Sequence, residues 1–245
     1  ERRVRLCCAA AGPTRVGVIE LSDGAHFNAL SMQLSMDLGM ALAHVSQRAA
    51  VGAIVLQAAG PHFCIGANPH ERHETMPLAD LASALFTLSR CCCSLRSLAV
   101  PALAAVHGHV PGGGVALCLN AGYLICMAAC TFEHGNLPRG VCPLGGFSQT
   151  LVSRVGRTVA LAFYLTNAVL GAADAASLRL VDEAWAGVCA AQKRALQLAE
   201  HTASHGVDAL MLMRPTDAGT LGREAIGHAE CRLIHGGEAR PLREF

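Results

Sequence analysis

An α/β fold class is predicted by three observations. Short β-branched apolar runs closed by turn residues recur at 15-RVGVIELSD-23, 51-VGAIVLQAAG-60, 102-ALAAVHG-108 and 122-GYLICMA-128, and read as strands. Helical patterns lie between them, over 31–47, over about 78–97 and from 112 onward, so strands and helices alternate along the chain. With 245 residues, 52% hydrophobic and 15% charged, the chain has enough apolar material for one large core.

The elements follow in order. Strand 15–23 leads into 31-SMQLSMDLGMALAHVSQ-47, where Met32, Met36, Leu38, Met40 and Leu42 recur at helical spacing behind Ser31 as N-cap, and strand 51–60 completes a strand-helix-strand unit. The alternation continues through 78–97, 102–108, the helix from 112 and strand 122–128. Segment 156–170 and everything after about 190 read as amphipathic helices, which divides the chain into a core over 1–190 and a helical region over 191–245.

Charge and composition exclude several functions. A formal net charge of +1, with lysines and arginines scattered, leaves no footprint for nucleic acid, and the cluster Arg2, Arg3 and Arg5 reads as a solvated terminus. The apolar runs are too short to span a bilayer and the N-terminus lacks a signal-peptide pattern, so a soluble protein of the cytoplasm or an organelle matrix is expected. The abrupt start at Glu1 is what a piece of a longer chain would show. The 12 cysteines sit inside apolar segments, as in 91-CCC-93, and read as small buried hydrophobes. No cysteine or histidine spacing supports zinc, and no bound metal is expected.

Chemistry concentrates in two stretches. In 110-VPGGGVALCLN-120 a proline precedes Gly112, Gly113 and Gly114 at a helix start, where a ligand oxygen can approach main-chain N–H groups that no intrahelical carbonyl satisfies. Close packing of a helix on a strand would explain the glycines equally well. The second stretch, 61-PHFCIGANPHERHE-74, runs from a strand end into a polar loop.

Taken together, Phe63-Cys64-x-Gly66-Ala67 and His107-Gly108-x-x-x-Gly112-Gly113-Gly114 resemble the crotonase (enoyl-CoA hydratase/isomerase) superfamily. The resemblance covers 15–185: Asn28-Ala29-Leu30 looks like the family's NAL, and 131–156 is similar to its active-site helix region. It implies a spiral of ββα turns, a C-terminal helical region that joins trimers or dimers of trimers, and a pocket for an acyl thioester of CoA or an acyl carrier protein. CoA or phosphopantetheine would enter only as part of the substrate, with no separate cofactor. The N–H groups of Ala67 and Gly113 would then form an oxyanion hole flanked by Gly66, Asn68, Gly112 and Gly114. Such donors stabilise a developing enolate more than the ground state.

The sequence departs from the family where acids are expected. The two glutamates that hydratases carry correspond to Ala116 and Asn136, and the carboxylate of some isomerases to Leu144. Asn136 can orient a carbonyl or water but cannot usefully take a proton. Glu133 is offset by three residues from the second position and would be aimed elsewhere.

Decarboxylation of a glutaconyl-type thioester needs an oxyanion hole and a proton donor but no carboxylate base, and a glutamate would repel the substrate carboxylate. The resemblance therefore extends to the decarboxylases of polyketide β-branching. Their lysine is missing here: the matching position is Pro69, with His70 beside it. His70 and His228 are candidate proton donors, Arg72 could hold a carboxylate by a forked pair of N–H groups, and His134 lies next to Asn136. Each histidine has an alternative reading as surface or structural polarity, and His109 reads as structural. Three functions remain open: a decarboxylase in polyketide or fatty-acid metabolism, placed first; a hydratase or dehydratase with a displaced acid or base; and a thioester-binding scaffold without turnover.

Overall fold

The computed structural model describes residues 3–11, 14–67 and 77–205. In chain order these form β1 (Val4–Ala11), β2 (Thr14–Leu21), α1 (Met32–Ser46), β3 (Val51–Ala58), α2 (Leu78–Ser94), β4 (Ala102–Val106), β5 (His109–Pro111) and α3 (Gly113–Leu119). They continue as β6 (Tyr123–Met127), β7 (Thr131–Glu133), α4 (Phe147–Thr166), β8 (Leu170–Gly171), α5 (Ala172–Ser177), β9 (Glu183–Trp185) and α6 (Val188–His205). A six-stranded sheet runs β1-β2-β3-β4-β6-β9, and a three-stranded sheet runs β5-β7-β8. From β2 to β9 the large sheet is parallel; β1 is antiparallel to β2 at its edge.

Burial on both faces explains why the strands read as nearly continuous apolar runs. Along β3, Ala53 and Val55 face one way with Val16, Val18, Leu103, Ala105 and Ile125, and meet Ala191, Ala195, Ala199 and Ala203 of α6. The four alanines recur every four residues, and this small-residue stripe lets α6 lie so close that a Cβ at Gly52 would stand 2.9 Å from the Ala203 Cβ. Ile54 and Leu56 face the opposite way, into a larger core shared with Leu34, Leu38 and Leu42 of α1 and with α2 and α3. The Ser31 hydroxyl caps α1, accepting from the Leu34 N–H at 3.1 Å.

Three expectations change. Arg3 and Arg5 are not a loose terminus: Arg5 lies on β1 with its side chain solvated as expected, while Arg3, just before it, pairs with Asp23 at 3.2 Å and donates to the Ser31 hydroxyl at 2.7 Å. A run such as VRLCCAAA has little intrinsic strand preference, so pairing with β2 decides its conformation. The helix expected over 156–170 begins at Phe147 and ends at Thr166, bending at Gly156, whose φ of 79° and ψ of 161° break the helical path. The strands β5, β7, β8 and β9, two or three residues each, are too short to leave a periodic signal.

Cys64, Cys91, Cys92, Cys93, Cys118, Cys126 and Cys130 are buried as expected, whereas Cys7, Cys8 and Cys189 are exposed. Among the described residues no helix is long and apolar enough to cross a membrane, and no group of three or more side chains could hold a metal ion.

Candidate active site

Asn28 organises the first half of the site. It sits in the left-handed region at a φ of 53°, which asparagine tolerates. Its Oδ1 accepts from the Asp23 N–H at 2.8 Å, and its Nδ2 donates to the carbonyls of Ala59 and His62 at 2.8 and 2.9 Å. The stretch after β3 is then held on both sides. The Phe63 N–H donates to the His107 carbonyl, the Ile65 N–H to that of Phe27, and the Leu30 N–H to that of Gly66 at 2.7 Å.

The glycine turn presses against this stretch. A Cβ at Gly114 would lie 2.1 Å from the Cys64 carbonyl oxygen; one at Gly66 would lie 2.9 Å from the Pro111 carbonyl oxygen and 3.0 Å from the Gly113 nitrogen. Gly66 has a φ of 83° and Gly112 one of 49°, both in the region that favours glycine. A Cβ at Gly113 would sit 3.5 Å from the Ala67 nitrogen and one at Gly66 3.0 Å from the Gly113 nitrogen, so both nitrogens lie where the two stretches meet. Among the described residues neither donates to a carbonyl. Two adjacent main-chain donors without partners can receive one ligand oxygen, and they favour an oxygen that gains negative charge.

The positions where carboxylates are missing are Ala116, Asn136 and Leu144. Ala116 is buried in α3, with Gly145 and Cys92 behind its methyl group: a Cβ at Gly145 would lie 3.5 Å from the Ala116 Cβ and 2.9 Å from that of Cys92. Asn120 secures this contact, donating through Nδ2 to the carbonyls of Ala116 and Gly145, each at 2.7 Å. Leu144 is partly buried against the same core. Asn136 is buried, its Nδ2 donates to the Cys142 carbonyl at 3.2 Å, and its Oδ1 has no partner among the described residues. That oxygen lies 3.8 Å from where a Cβ on Gly112 would be, beside the glycine turn.

Glu133 is engaged elsewhere. Its Oε1 accepts from Asn167 Nδ2 at 2.8 Å and lies 3.6 Å from the Arg139 guanidinium, while Oε2 lies 3.3 Å from His109 Nε2. Burial alone would push this carboxyl up, but the Asn167 hydrogen bond and the charges of Arg139 and His109 outweigh it and hold it below the usual carboxylate value. A carboxylate so satisfied is a structural anion. His109 itself is tied to Thr131 Oγ1 at 3.0 Å, in keeping with its structural reading.

His134 is buried among aromatic rings. Its ring stacks on Phe147 at 4.5 Å between centroids and meets Phe163 and Tyr164 edge-on. Burial depresses its pKa to about 4, so the ring is neutral at neutral pH, and its Nδ1 has no partner. It is the His134 carbonyl, not the ring, that lies against Gly112. Asn68, His70 and Arg72, and also His228 and the helices expected around it, lie outside the described residues. Asn167 was not singled out from the sequence. An asparagine closing a helix is a weak signal, and its partners lie more than thirty residues away.

Comparison with known proteins bears on the whole arrangement. The family model for enoyl-CoA hydratase/isomerase matches residues 12–223. A probable enoyl-CoA hydratase of Rhizobium meliloti is 32% identical over 202 residues, covering 82% of this chain and 76% of that protein. The probable enoyl-CoA hydratase echA8 of Mycobacterium tuberculosis is 30% identical over 167 residues, 68% of this chain and 64% of its own length. The chain thus spans just under two thirds of the length of the first curated relatives it matches. The crystal structure of an enoyl-CoA hydratase from Bacillus anthracis superposes with a TM-score of 0.78 at 25% identity, over 94% of this chain and 91% of that one. Together with the six-stranded sheet, the ββα turn of β4, β5 and α3 and the apposed glycine turn, these matches place the chain in the enoyl-CoA hydratase/isomerase family, with its crotonase fold.

Proposed function

We propose that this chain binds an acyl thioester of coenzyme A and holds its carbonyl oxygen between the N–H groups of Ala67 and Gly113 while that oxygen gains enolate charge. The observation that carries the reading is the pair of adjacent, unpartnered main-chain donors. Donors fixed in advance at the place where charge develops stabilise the transition state at no cost in reorganisation.

The reaction put first is now hydration of an enoyl thioester, or its reverse, rather than the decarboxylation expected from the sequence. The relatives are named enoyl-CoA hydratases, and this supports the hydratase alternative. The oxygen of water would bond to the β-carbon while the electron pair of the double bond passes to the thioester oxygen; the O–H bond of that water breaks, and a proton is returned to the α-carbon as the enolate collapses, so that one water is added in all. The Asn136 Oδ1, unpartnered beside Gly112, can accept a hydrogen bond from that water but cannot remove its proton. A positioned acid or base contributes about 10²–10⁴-fold, so hydration here is slower than in a site with carboxylates by about that factor.

Decarboxylation is kept as a second reading on one observation: Ala116, Asn136 and Leu144 leave the glycine turn without a carboxylate to repel an acidic substrate. In that reaction the bond to the carboxyl group breaks, its electron pair passes to the thioester oxygen, carbon dioxide leaves, and the enolate then takes a proton on carbon from solvent water.

The test offers the purified protein crotonyl-CoA and 3-methylglutaconyl-CoA, following loss of the conjugated enoyl absorbance and release of carbon dioxide. Hydration of the first supports the first reading, and decarboxylation of the second in its place supports the second. Binding of both without turnover reduces the site to a thioester binder. Ala67→Pro deletes a donor that makes no bond among the described residues, so thioester binding should fall, and unfolding of the same sample reads what the ring costs where the two stretches meet. Absence of binding by the unmodified protein overturns the proposal.

A further inference from the structure

The loop that carries Asn136 is held by one side chain at the end of a distant helix. Asn167 follows the last residue of α4 in the left-handed conformation, with φ 47° and ψ 33°. Glycine is the usual residue there, because it alone carries no Cβ penalty. Asparagine tolerates the conformation, and here its carboxamide is fully used: Oδ1 accepts from the Gly135 N–H at 2.7 Å, and Nδ2 donates to Glu133 Oε1 at 2.8 Å. The orientation is forced, since the reverse would set an amide oxygen against a carboxylate and an amide N–H against a main-chain N–H.

Glu133 and Gly135 are the two residues on which the glycine turn leans. The Glu133 carbonyl accepts from the Gly112 N–H at 3.0 Å, and β7 pairs with β5 through Glu133 and Pro111. A Cβ at Gly135 would lie 3.5 Å from the Gly112 nitrogen, and the next residue in the chain is Asn136 with its unpartnered Oδ1. Arg139 closes the far side, donating to the Gly135 carbonyl at 2.5 Å while lying 3.6 Å from the Glu133 carboxylate. Among the described residues Glu133 therefore faces Asn167, Arg139 and His109.

The geometry points to Asn167 as a positioning residue: its carboxamide clips Glu133 to Gly135, and through them sets where the Gly113 N–H and the Asn136 oxygen stand. The role gives Glu133, which is not placed to act as a base, a function as the anionic anchor of the clip. The consequence for ligand binding rests on the thioester reading above; the positioning itself does not.

The test uses the full chain carrying Asn167→Gly, which keeps the left-handed backbone and removes only the carboxamide. Amide hydrogen exchange over 109–116 and 133–141 is measured without ligand, and crotonyl-CoA binding is measured by calorimetry on the same samples. Exchange in both segments should quicken by about tenfold and affinity should fall by about tenfold, the size expected for hydrogen bonds to a charged group. The thermal midpoint should move little, because glycine suits the cap. Asn167→Asp sets a second carboxylate against Glu133, and its affinity should fall at neutral pH and recover in acid as the pair takes up a shared proton, which a role in filling space would not produce. Exchange over 109–116 unchanged in Asn167→Gly overturns the inference. Quickened exchange, with no crotonyl-CoA binding even by the unmodified protein, upholds the clip and overturns the thioester reading.

Discussion

Replacing Gly114 by alanine tests the close approach on which the site depends. The added Cβ would meet the Cys64 carbonyl oxygen at 2.1 Å, the Cys64 carbonyl carbon at 3.1 Å and the Val110 Cγ1 at 3.2 Å. The first is backbone, which cannot rotate away as a side chain would. Carbon and oxygen settle no closer than about 3.3 Å, so α3 and the stretch 63–67 must part by about 1 Å. Overpacking of this kind costs about 1–3 kcal/mol, and at about 2–4 °C per kcal/mol for a chain of this size the thermal midpoint should drop by about 2–12 °C. The functional cost should be larger in proportion, because a displacement of about 1 Å between groups that must act together can cost about 10²-fold. Calorimetric unfolding and crotonyl-CoA binding are the assays. Gly39→Ala is the matched control: it lies inside α1 with nothing within 4 Å of the added Cβ, so it should stabilise by about 0.5–1 kcal/mol and leave binding alone. If Gly114→Ala keeps the midpoint and affinity of the unmodified protein, the two stretches do not touch as described and the paired-donor argument fails with them.

Other outcomes follow from the same geometry. His134 has a pKa near 4 when folded and about 6.5 when unfolded, so between those values the unfolded chain binds more protons and stability is lost as pH falls from about 6.5 toward about 4. His134→Phe, which keeps the stack on Phe147 and removes an unpaired ring nitrogen, should flatten that part of the stability profile; an unchanged profile refutes the assignment. A thiol reagent applied to the native protein should modify Cys7, Cys8 and Cys189 and spare Cys64, Cys92 and Cys118, whose burial pushes the thiols up, to about 12 for Cys64; peptide mass spectrometry before and after unfolding reads this directly. Asn136→Asp should raise crotonyl-CoA hydration at least about tenfold by supplying a proton acceptor, at a stability cost of about 0.5–1.5 kcal/mol for the hydrogen bond to the Cys142 carbonyl that it removes. Ala116→Glu should lower stability by about 3–5 kcal/mol without a comparable gain in rate, as unfolding and hydration assays would show.

What could be read from the sequence followed from local constraint. The alternation of β2, α1, β3 and α2 is written in periodicity and caps, and the glycine turn in residues that a positive φ and close backbone approach demand, as at Gly66 and Gly112. Asn28 was visible as part of a motif, although only the fold shows it gripping the carbonyls of Ala59 and His62. The rest was decided by partners far along the chain. The strand β1 owes its conformation to β2, the short sheet β5-β7-β8 to contacts no window of residues contains, and the state of Glu133 to Asn167, thirty-four residues away. The offset of Glu133 from the expected acid position was legible, whereas its partners Asn167, Arg139 and His109 were not. His134 shows the same limit: a histidine beside Asn136 invites a role in binding, and three aromatic rings enclose it instead.

The two missing carboxylates are not equivalent losses. At Ala116 the surrounding structure has closed in, with Gly145 and Cys92 packed behind the methyl group and Asn120 bonding both backbones across the contact. A glutamate restored there would carry its charge into a buried position packed against Gly145. At Asn136 the polar character persists: one amide hydrogen bond fixes the side chain, and the remaining oxygen, buried and without a partner, lies beside the turn that carries the Gly113 donor. A buried acceptor left unpaired costs about 1–3 kcal/mol, and that cost disappears when a ligand hydroxyl or a water donates to it. On the proposed reading, Ala67 and Gly113 supply the oxygen-binding pair and Asn136 one adjacent acceptor, while Ala116 offers no second acid. That combination suits a substrate in which the thioester oxygen takes the charge and a single hydrogen bond, not a pair of carboxylates, orients the group that reacts.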